Sequence, residues 1–222
     1  MNATGIGHHR AQMNAVPRKC FSAHLVSFPI PCHTTALDSQ AALMTEPGQT
    51  PILRSDRLLL RPHREEDLDA LAAMWRDPDV VRHIGGRPFT REEVWHRMLR
   101  YRGHWALRPY GYWAVIDRVS GRFIGDVGLA DWQREGITDL DGAPEAGWAM
   151  IPAAHGQGFA AEALRTMLQW VDTGLCCPIV CMIDSENAAS IRLAIRLGFE
   201  ETSKRVHRDR TSLFFRRPAR QG

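Results

Sequence analysis

Apolar and polar residues alternate in some segments after residue 50 and recur with a helical period in others. Between Ile52 and Pro62, Leu58 and Leu60 fall on one face of an extended chain and Leu59 falls on the other. This period of two predicts a first strand.

Two helices are predicted to follow this strand. From Glu65 to Arg76, apolar residues recur every three or four positions and form one stripe. Thr90 stands three residues before Glu93, which is the spacing of a helix capping box. The second helix is therefore expected to begin after Thr90 and to run to about Ala106.

The next segment has the pattern of a β-hairpin. Residues 111–116 and 122–129 are two apolar runs that flank the turn Asp117-Arg118-Val119-Ser120-Gly121. A polar, glycine-containing loop then leads to a further strand over residues 145–151.

The last part of the chain alternates between the two periods. Beyond a glycine-rich turn, a helix with an apolar stripe is predicted to end near Gly174, followed by a strand over residues 179–183 and a short helix over residues 188–197. Terminal strands are predicted over residues 199–203 and 211–217. An antiparallel meander followed by one βαβ unit predicts an α/β (α+β) fold with a mixed, mostly antiparallel sheet flanked by helices.

The glycine-rich turn, which begins at His155, carries the clearest chemical signal. Gly156 and Gly158 allow the backbone to approach a ligand closely. The first N–H groups of the helix that follows have no intrahelical acceptor and carry the positive end of the helix dipole. The turn is therefore predicted to bind a phosphate, with tight strand-to-helix packing as the alternative interpretation.

Two familiar nucleotide loops fit the turn less well. Gly156-x-Gly158-x-x-Ala161 satisfies the dinucleotide fingerprint, and Asp184 ends the next strand where a ribose-binding acid is sought. A doubly wound fold requires repeated strand-helix alternation, however, whereas a hairpin precedes this turn. A Walker loop is disfavoured because no Gly-Lys-Ser/Thr follows.

Composition sets limits on the class of protein. The 222 residues suit one domain, predicted over residues 51–222, after a disordered tail over residues 1–50 with Met44 as a possible true start. A net charge of +3 does not argue for nucleic acid. Five unevenly spaced cysteines argue against a disulfide framework, and no apolar run is long enough to span a bilayer. A cytoplasmic protein with no nucleic-acid or membrane partner, either monomer or homodimer, is expected.

Two sequence blocks carry a family resemblance. His155-Gly156-Gln157-Gly158-Phe159-Ala160 continues into Ala161-Glu162-Ala163, and residues 187–192, Asn-Ala-Ala-Ser-Ile-Arg, are followed by Leu197-Gly198-Phe199. Over residues 52 to about 200 the chain resembles the GCN5-related N-acetyltransferase (GNAT) superfamily, in particular its ribosomal-protein-alanine (RimJ/RimL-like) branch. His155 departs from the Arg or Gln that usually begins the loop.

The resemblance implies acetyl-CoA as co-substrate, wedged between the strands at 145–151 and 179–183, which would splay apart. The glycine loop would hold the pyrophosphate. The expected cofactor-binding residues are His155, Gly156, Gln157, Gly158, Phe159, Ala160, Ala161, Asn187 and Ser190. No metal is expected.

The chemistry of acetyl transfer suggests further roles. Transfer to an amine requires a neutral nucleophile and a stabilised leaving thiolate. Glu145, at the start of a strand, is predicted as the base, with a solvated strand-end carboxylate as the alternative. The resemblance implies that Asn187 contacts the pantetheine arm and that Ser190 bonds the CoA sulfur, although Asn187 is also a favourable helix N-cap. The resemblance further implies a tyrosine acid after this helix. Here Tyr101, Tyr110 and Tyr112 all lie upstream.

The predicted activity is acetyl transfer to a primary amine, either a protein N-terminus or a small molecule. A CoA-binding module without catalysis and, less favoured, a nucleotide-binding oxidoreductase are the alternatives. Asp126 stands inside the second hairpin strand, where a charged residue is expected to face either the acceptor groove or solvent.

Overall fold

The computed structural model describes residues 49–134, 137, 140, 142–207 and 209–219. These residues fall in one compact unit, Ala41–Gly222. The predicted tail up to residue 48, with the possible start at Met44, lies outside the described residues. Whether residues 51–222 form a single independent domain stays a prediction.

A mixed sheet of eight strands forms the centre of the unit, in the spatial order β1-β2-β3-β4-β5-β6-β8-β7. The strands are β1 (Leu53–Arg54), β2 (Leu58–Arg61), β3 (Tyr112–Asp117), β4 (Phe123–Ala130), β5 (Glu145–Met150), β6 (Ile179–Asp184), β7 (Glu200–His207) and β8 (Arg210–Arg217). The predicted hairpin and the predicted mixed, mostly antiparallel sheet are confirmed.

Five α-helices flank the sheet among the described residues. They are α1 (Leu68–Arg76), α2 (Pro78–Val81), α3 (Arg91–Leu107), α4 (Phe159–Trp170) and α5 (Ala188–Arg196). The capping box that begins α3 is present, since Glu93 N–H donates to the Thr90 hydroxyl and Thr90 N–H donates to the Glu93 carboxylate.

Helices cover both faces of the sheet. On one face, apolar residues of α4 and α5 pack against inward residues of the central strands, including Trp113 and Val127. On the other face, residues of α1, α2 and α3 pack together over Ala149 of β5. Both faces of the central strands are therefore covered by helices. This leaves a separation between two strands as the route by which a ligand can reach the centre of the sheet.

The strands β5 and β6 separate soon after they meet. They are parallel neighbours, and Glu145 opposite Val180 is their single register pair. The Val180 N–H donates to the Pro144 carbonyl at 3.1 Å. Beyond this pair the strands diverge toward their carboxyl ends, which gives the sheet the splay that the family resemblance implies.

One local prediction was wrong in detail, and another was right about the position but not about the capping residue. The first predicted strand is broken by the turn Ser55–Arg57 into β1 and β2, because Ser55 N–H turns back to the Leu58 carbonyl. The helix after the glycine turn ends close to Gly174, as predicted, although Gly174 is not its cap. It continues as a π-turn over Val171–Leu175 and ends where Cys176 adopts a left-handed conformation with φ of 47°.

Candidate active site

The strands β5 and β6 meet at Glu145 and Val180, the closed end of the splay, and are apart at their carboxyl ends, the open end. The glycine turn connects β5 to α4 at the open end. Gly156 and Gly158 have φ angles of 73° and 79°, in the left-handed region that favours glycine. A Cβ atom at Gly156 would meet nothing within 4 Å, so the backbone here faces open space. The turn has the shape of a cradle that a ligand can approach closely.

The backbone donors of this turn are unused. The Glu162 N–H is the first to donate within the helix, to the Gly158 carbonyl. Within the described part of the chain, the N–H groups of residues 156–161 have no acceptor. Unpaired N–H groups at a left-handed turn and a helix N-terminus form an anion-binding concavity. The fit to a phosphate therefore rests on backbone atoms.

Two side chains of the turn fold back onto the protein. His155 places Nε2 3.0 Å from the Met150 carbonyl, and its backbone N–H donates to the Pro152 carbonyl. The Gln157 side-chain amide donates to the Ala153 carbonyl. These bonds shape the loop. Because Nε2 of His155 is engaged by the Met150 carbonyl, the predicted contact of this side chain with a ligand would have to be made by Nδ1.

Arg57 holds the turn from the β1–β2 connection, and sequence reasoning missed it. Its Nε donates to Glu162 at 2.7 Å, its Nη1 donates to the Gln157 carbonyl at 3.1 Å, and its guanidinium stacks 4.3 Å from the centre of the Phe159 ring. Partial burial raises the pKa of Glu162, but hydrogen bonds from Arg57 and Ser55 outweigh this and hold the pKa below its usual value. The ion pair spans 105 positions, so no local pattern reveals it.

The peptide groups of β5 point into the splay at alternate residues. Because the Pro144 carbonyl faces β6, the two-residue repeat also turns Ala146, Trp148 and Met150 toward β6. The Met150 carbonyl is taken by His155. The N–H and C=O of Trp148 face the gap that β6 has left, where an amide-containing ligand can pair with them.

Glu145 lies at the closed end of the splay and is held by Arg134. Its side chain is 11% exposed, and Arg134 donates to both carboxylate oxygens at 2.9 Å. The two residues line a cleft of about 360 Å³ between the end of β4 and the start of β5, together with Trp132 and Asp131. The interpretation as a solvated carboxylate is wrong, because Glu145 is ion-paired and largely buried. Its role as a base stays a prediction.

Asn187 and Ser190 lie at the open end of the splay, where β6 passes into α5. The Ser190 N–H donates to the Asn187 side-chain oxygen at 3.1 Å, so Asn187 is the N-cap of α5. Both residues share this end of the gap with the glycine turn, since β5 and β6 are parallel. Their predicted contacts with a cofactor stay predictions.

Asp184, the candidate ribose-binding acid of a dinucleotide fold, is instead paired with Arg210. Its carboxylate lies 2.5 Å from Nη2 of Arg210 and 3.9 Å from Nδ1 of His83. The side chain is 7% exposed. Together with the mostly antiparallel sheet, this ion pair removes the basis for the oxidoreductase alternative.

Asp126 does not face solvent, so that expectation was wrong, and its orientation toward an acceptor groove stays a prediction. It is 1% exposed and lies under α1 and α3 on β4, and neither carboxylate oxygen completes a hydrogen bond in the described part of the chain. Burial raises the pKa of Asp126 to about 7, although Arg97 opposes the shift.

Comparison with known proteins identifies the same family along most of the chain. The model of the acetyltransferase (GNAT) domain matches residues 57–200. An uncharacterized N-acetyltransferase, p20 of Bacillus licheniformis, is 28% identical over 67% of this chain and 82% of its own length. The described part of the chain contains no helix that could cross a membrane.

Solved structures share the fold. A putative GNAT-family acetyltransferase from Bordetella pertussis is 33% identical, with a TM-score of 0.67 over 75% of this chain and 98% of its own. RimL, a ribosomal L7/L12 α-N-protein acetyltransferase solved with coenzyme A, has a TM-score of 0.63 at 16% identity, over 76% and 98% of the two chains. Spermidine N-acetyltransferase from Vibrio cholerae, solved with CoA and spermine, has a TM-score of 0.61 at 20% identity, over 74% and 97%.

Proposed function

This chain belongs to the GNAT acetyltransferase family and is an acyltransferase, and we propose that it transfers the acetyl group of acetyl-CoA to a primary amine by direct attack on the thioester. The observation that carries the proposal is the anion cradle of Gly156 and Gly158 at the open end of two diverging strands. The cradle suits a pyrophosphate, and the gap suits a chain of amides that ends in a thioester.

The parts of acetyl-CoA lie in sequence along the gap, from its open end to its closed end. The pyrophosphate lies on the N–H groups of residues 156–161, and the pantetheine amides pair with the free peptide groups of Trp148 in the gap. The thioester then lies toward the closed end, near Glu145. Asn187 and Ser190 line the β6 side of the entrance, where Asn187 contacts the pantetheine arm.

The acceptor amine enters from the cleft that Glu145 and Arg134 line. An amine with a pKa near ~8 to ~10 is mostly protonated at neutral pH, so a carboxylate helps to take up its proton. Glu145 is the carboxylate of the cleft that lies at the closed end. RimL acts on a protein α-amine and spermidine N-acetyltransferase on a small polyamine, and both acceptor classes remain candidates for this chain.

The test combines binding with turnover. Thermal unfolding is measured with CoA, NAD and ATP, and thiol release from acetyl-CoA is followed with a panel of polyamines, aminoglycosides and N-terminal peptides. CoA stabilisation together with amine-dependent thiol release is the expected result. Stabilisation by NAD instead of CoA contradicts the proposal. CoA stabilisation without turnover on any amine favours the alternative of a CoA-binding module without catalysis.

A variant of the cradle links both readouts to the proposed site. Gly158→Val places a branched side chain at a φ of 79° and next to Arg57, where the added Cβ would lie 3.6 Å from Nη2. We expect the apparent affinity for CoA, measured from the thermal stabilisation, to fall at least tenfold. Gly121→Val, at a φ of 68° in the remote β3–β4 turn, is the matched control for backbone strain.

A further inference from the structure

The side chain of Tyr112 crosses two strands on one face of the sheet. It starts on β3, passes over Gly128 of β4 and ends with its hydroxyl over Gly147 of β5. A Cβ at Gly128 would lie 2.5 Å from Cγ of Tyr112, and a Cβ at Gly147 would lie 2.1 Å from the hydroxyl oxygen. Both glycines are required for this path, because any side chain there would displace the tyrosine.

The ring of Tyr112 is fixed from above by α3. It stacks on the ring of Tyr101 with centroids 4.2 Å apart and planes 5° apart. Tyr101 is itself fully buried, and its hydroxyl accepts a hydrogen bond from Arg97 at 3.2 Å. A ring held on both sides keeps its hydroxyl at one place, as a preorganised donor requires.

The Tyr112 hydroxyl is available to donate. Across the ranges that the structure describes, it makes no hydrogen bond, and although the residue is only 6% exposed, the hydroxyl is not among the fully buried unpaired atoms. A ligand can therefore accept from it without displacing an internal partner. Burial and the nearby Tyr101, Asp126 and Glu145 raise the pKa of Tyr112 well above its usual value, so the hydroxyl keeps its proton at every working pH.

The position of the hydroxyl coincides with the closed end of the splay. Gly147 lies two residues beyond Glu145, the last residue of β5 that pairs with β6. Because successive side chains alternate, the hydroxyl over Gly147 and the Glu145 side chain share one face of β5. The unpaired donor thus borders the place where the thioester lies in the proposed function.

We propose that the Tyr112 hydroxyl is a catalytic hydrogen-bond donor to the carbonyl oxygen of the acetyl group. The inference rests on the proposed function and adds a residue to it. The amine nitrogen bonds to the acetyl carbon, the C–S bond breaks and its electron pair leaves with the sulfur, and the proton that the amine loses ends on the thiol. Tyr112 keeps its own proton and stabilises the negative charge that passes through the oxygen.

The first test is Tyr112→Phe, which removes one oxygen atom and keeps the stacked ring. We expect kcat to fall about 100-fold. KM for acetyl-CoA should stay within about threefold of wild type, and the thermal shift with CoA should stay within a few degrees of it. Tyr110→Phe, which removes a half-buried hydroxyl of the segment before β3, should keep wild-type kcat. A Tyr112→Phe enzyme with kcat within threefold of wild type overturns the proposal.

A second variant tests the same contact from β5. Gly147→Ala places a methyl group where the hydroxyl lies and should lower kcat by a similar factor. In the Tyr112→Phe background the same change should cost less than threefold further, because the displaced oxygen is already gone. Equal losses in both backgrounds would mean that Gly147 acts independently of Tyr112, which contradicts the proposal.

The two proposals fail in different experiments. A wild-type protein that binds CoA but transfers no acetyl group refutes the proposed function and this inference with it. An active wild type with a fully active Tyr112→Phe variant refutes the inference alone. The pH profile adds a further check: Tyr112→Phe should lower kcat equally at pH 6 and pH 9, since a donor that keeps its proton does not titrate in this range.

Discussion

At the scale of single residues, the buried carboxyl of Asp126 gives the protein a pH-dependent stability. Its pKa of about 7 lies above the ordinary value of 3.8, so between these two pH values the folded state holds a proton that the unfolded state has lost. The contribution of Asp126 to the free energy of unfolding is therefore fully present below about pH 4 and declines as the pH rises to about 7.

Asp126→Asn should remove this dependence, because the amide is neutral at every pH and has nearly the same shape. Melting temperatures measured from pH 4 to pH 8 for both proteins isolate the contribution, since all other groups titrate in both. We expect the variant to gain roughly 3 to 10 °C relative to wild type between pH 4 and pH 8. A constant difference across this range would show that Asp126 does not titrate within it.

Glu145 allows a second prediction at this scale, about the rate. If it takes up the proton of the amine, Glu145→Gln lowers kcat about 100-fold or more, as the loss of a general base does. Glu92→Gln, an exposed carboxylate on α3, is the matched control and should keep wild-type kcat. A Glu145→Gln enzyme with the wild-type rate would leave the residue only its ion pair with Arg134.

At the scale of elements, the glycine turn depends on a contact from a distant strand connection. Arg57 bonds Glu162 and the Gln157 carbonyl and lies against Phe159. It holds the first turn of α4 in place while its charge is balanced by Glu162. A fixed helix N-terminus favours a bound pyrophosphate.

Arg57→Ala should therefore raise KM for acetyl-CoA by about tenfold and change kcat by less than threefold, because binding is lost and the reacting groups are untouched. Steady-state kinetics at saturating amine measure both constants. Arg64→Ala, which removes an exposed ion pair with Glu66, is the control. An unchanged KM in Arg57→Ala would mean that the turn keeps its shape without the clamp.

Local patterns predicted the elements well, and contacts between distant segments limited the rest. The capping box of α3 and the hairpin from β3 to β4 depend on neighbouring residues, so the sequence contains their signals. The Arg57–Glu162 pair joins segments 105 positions apart. The path of Tyr112 depends on which glycines of two other strands lie beneath its ring. Both are consequences of the assembled sheet.

At the scale of the whole molecule, one parallel pair inside an antiparallel sheet creates the site. The order of a meander and a βαβ unit predicted that β5 and β6 would be parallel, because their connection contains the helix α4. The residues themselves did not predict that the pairing stops after Glu145 and Val180, and the splay was expected from the family resemblance alone. A sheet that is broken along its middle is incomplete until a ligand fills the gap.

A ligand that completes the sheet should protect backbone amides along the gap and leave remote strands unchanged. Hydrogen exchange with and without CoA tests this for the whole chain. We expect slower exchange in peptides that cover residues 145–151 and 156–162, where N–H groups face the gap and the cradle. Peptides of the β7–β8 hairpin should exchange alike, because that pairing is already complete. Uniform protection of all strands would instead indicate a general stabilisation, and no protection of residues 145–151 would contradict binding between β5 and β6.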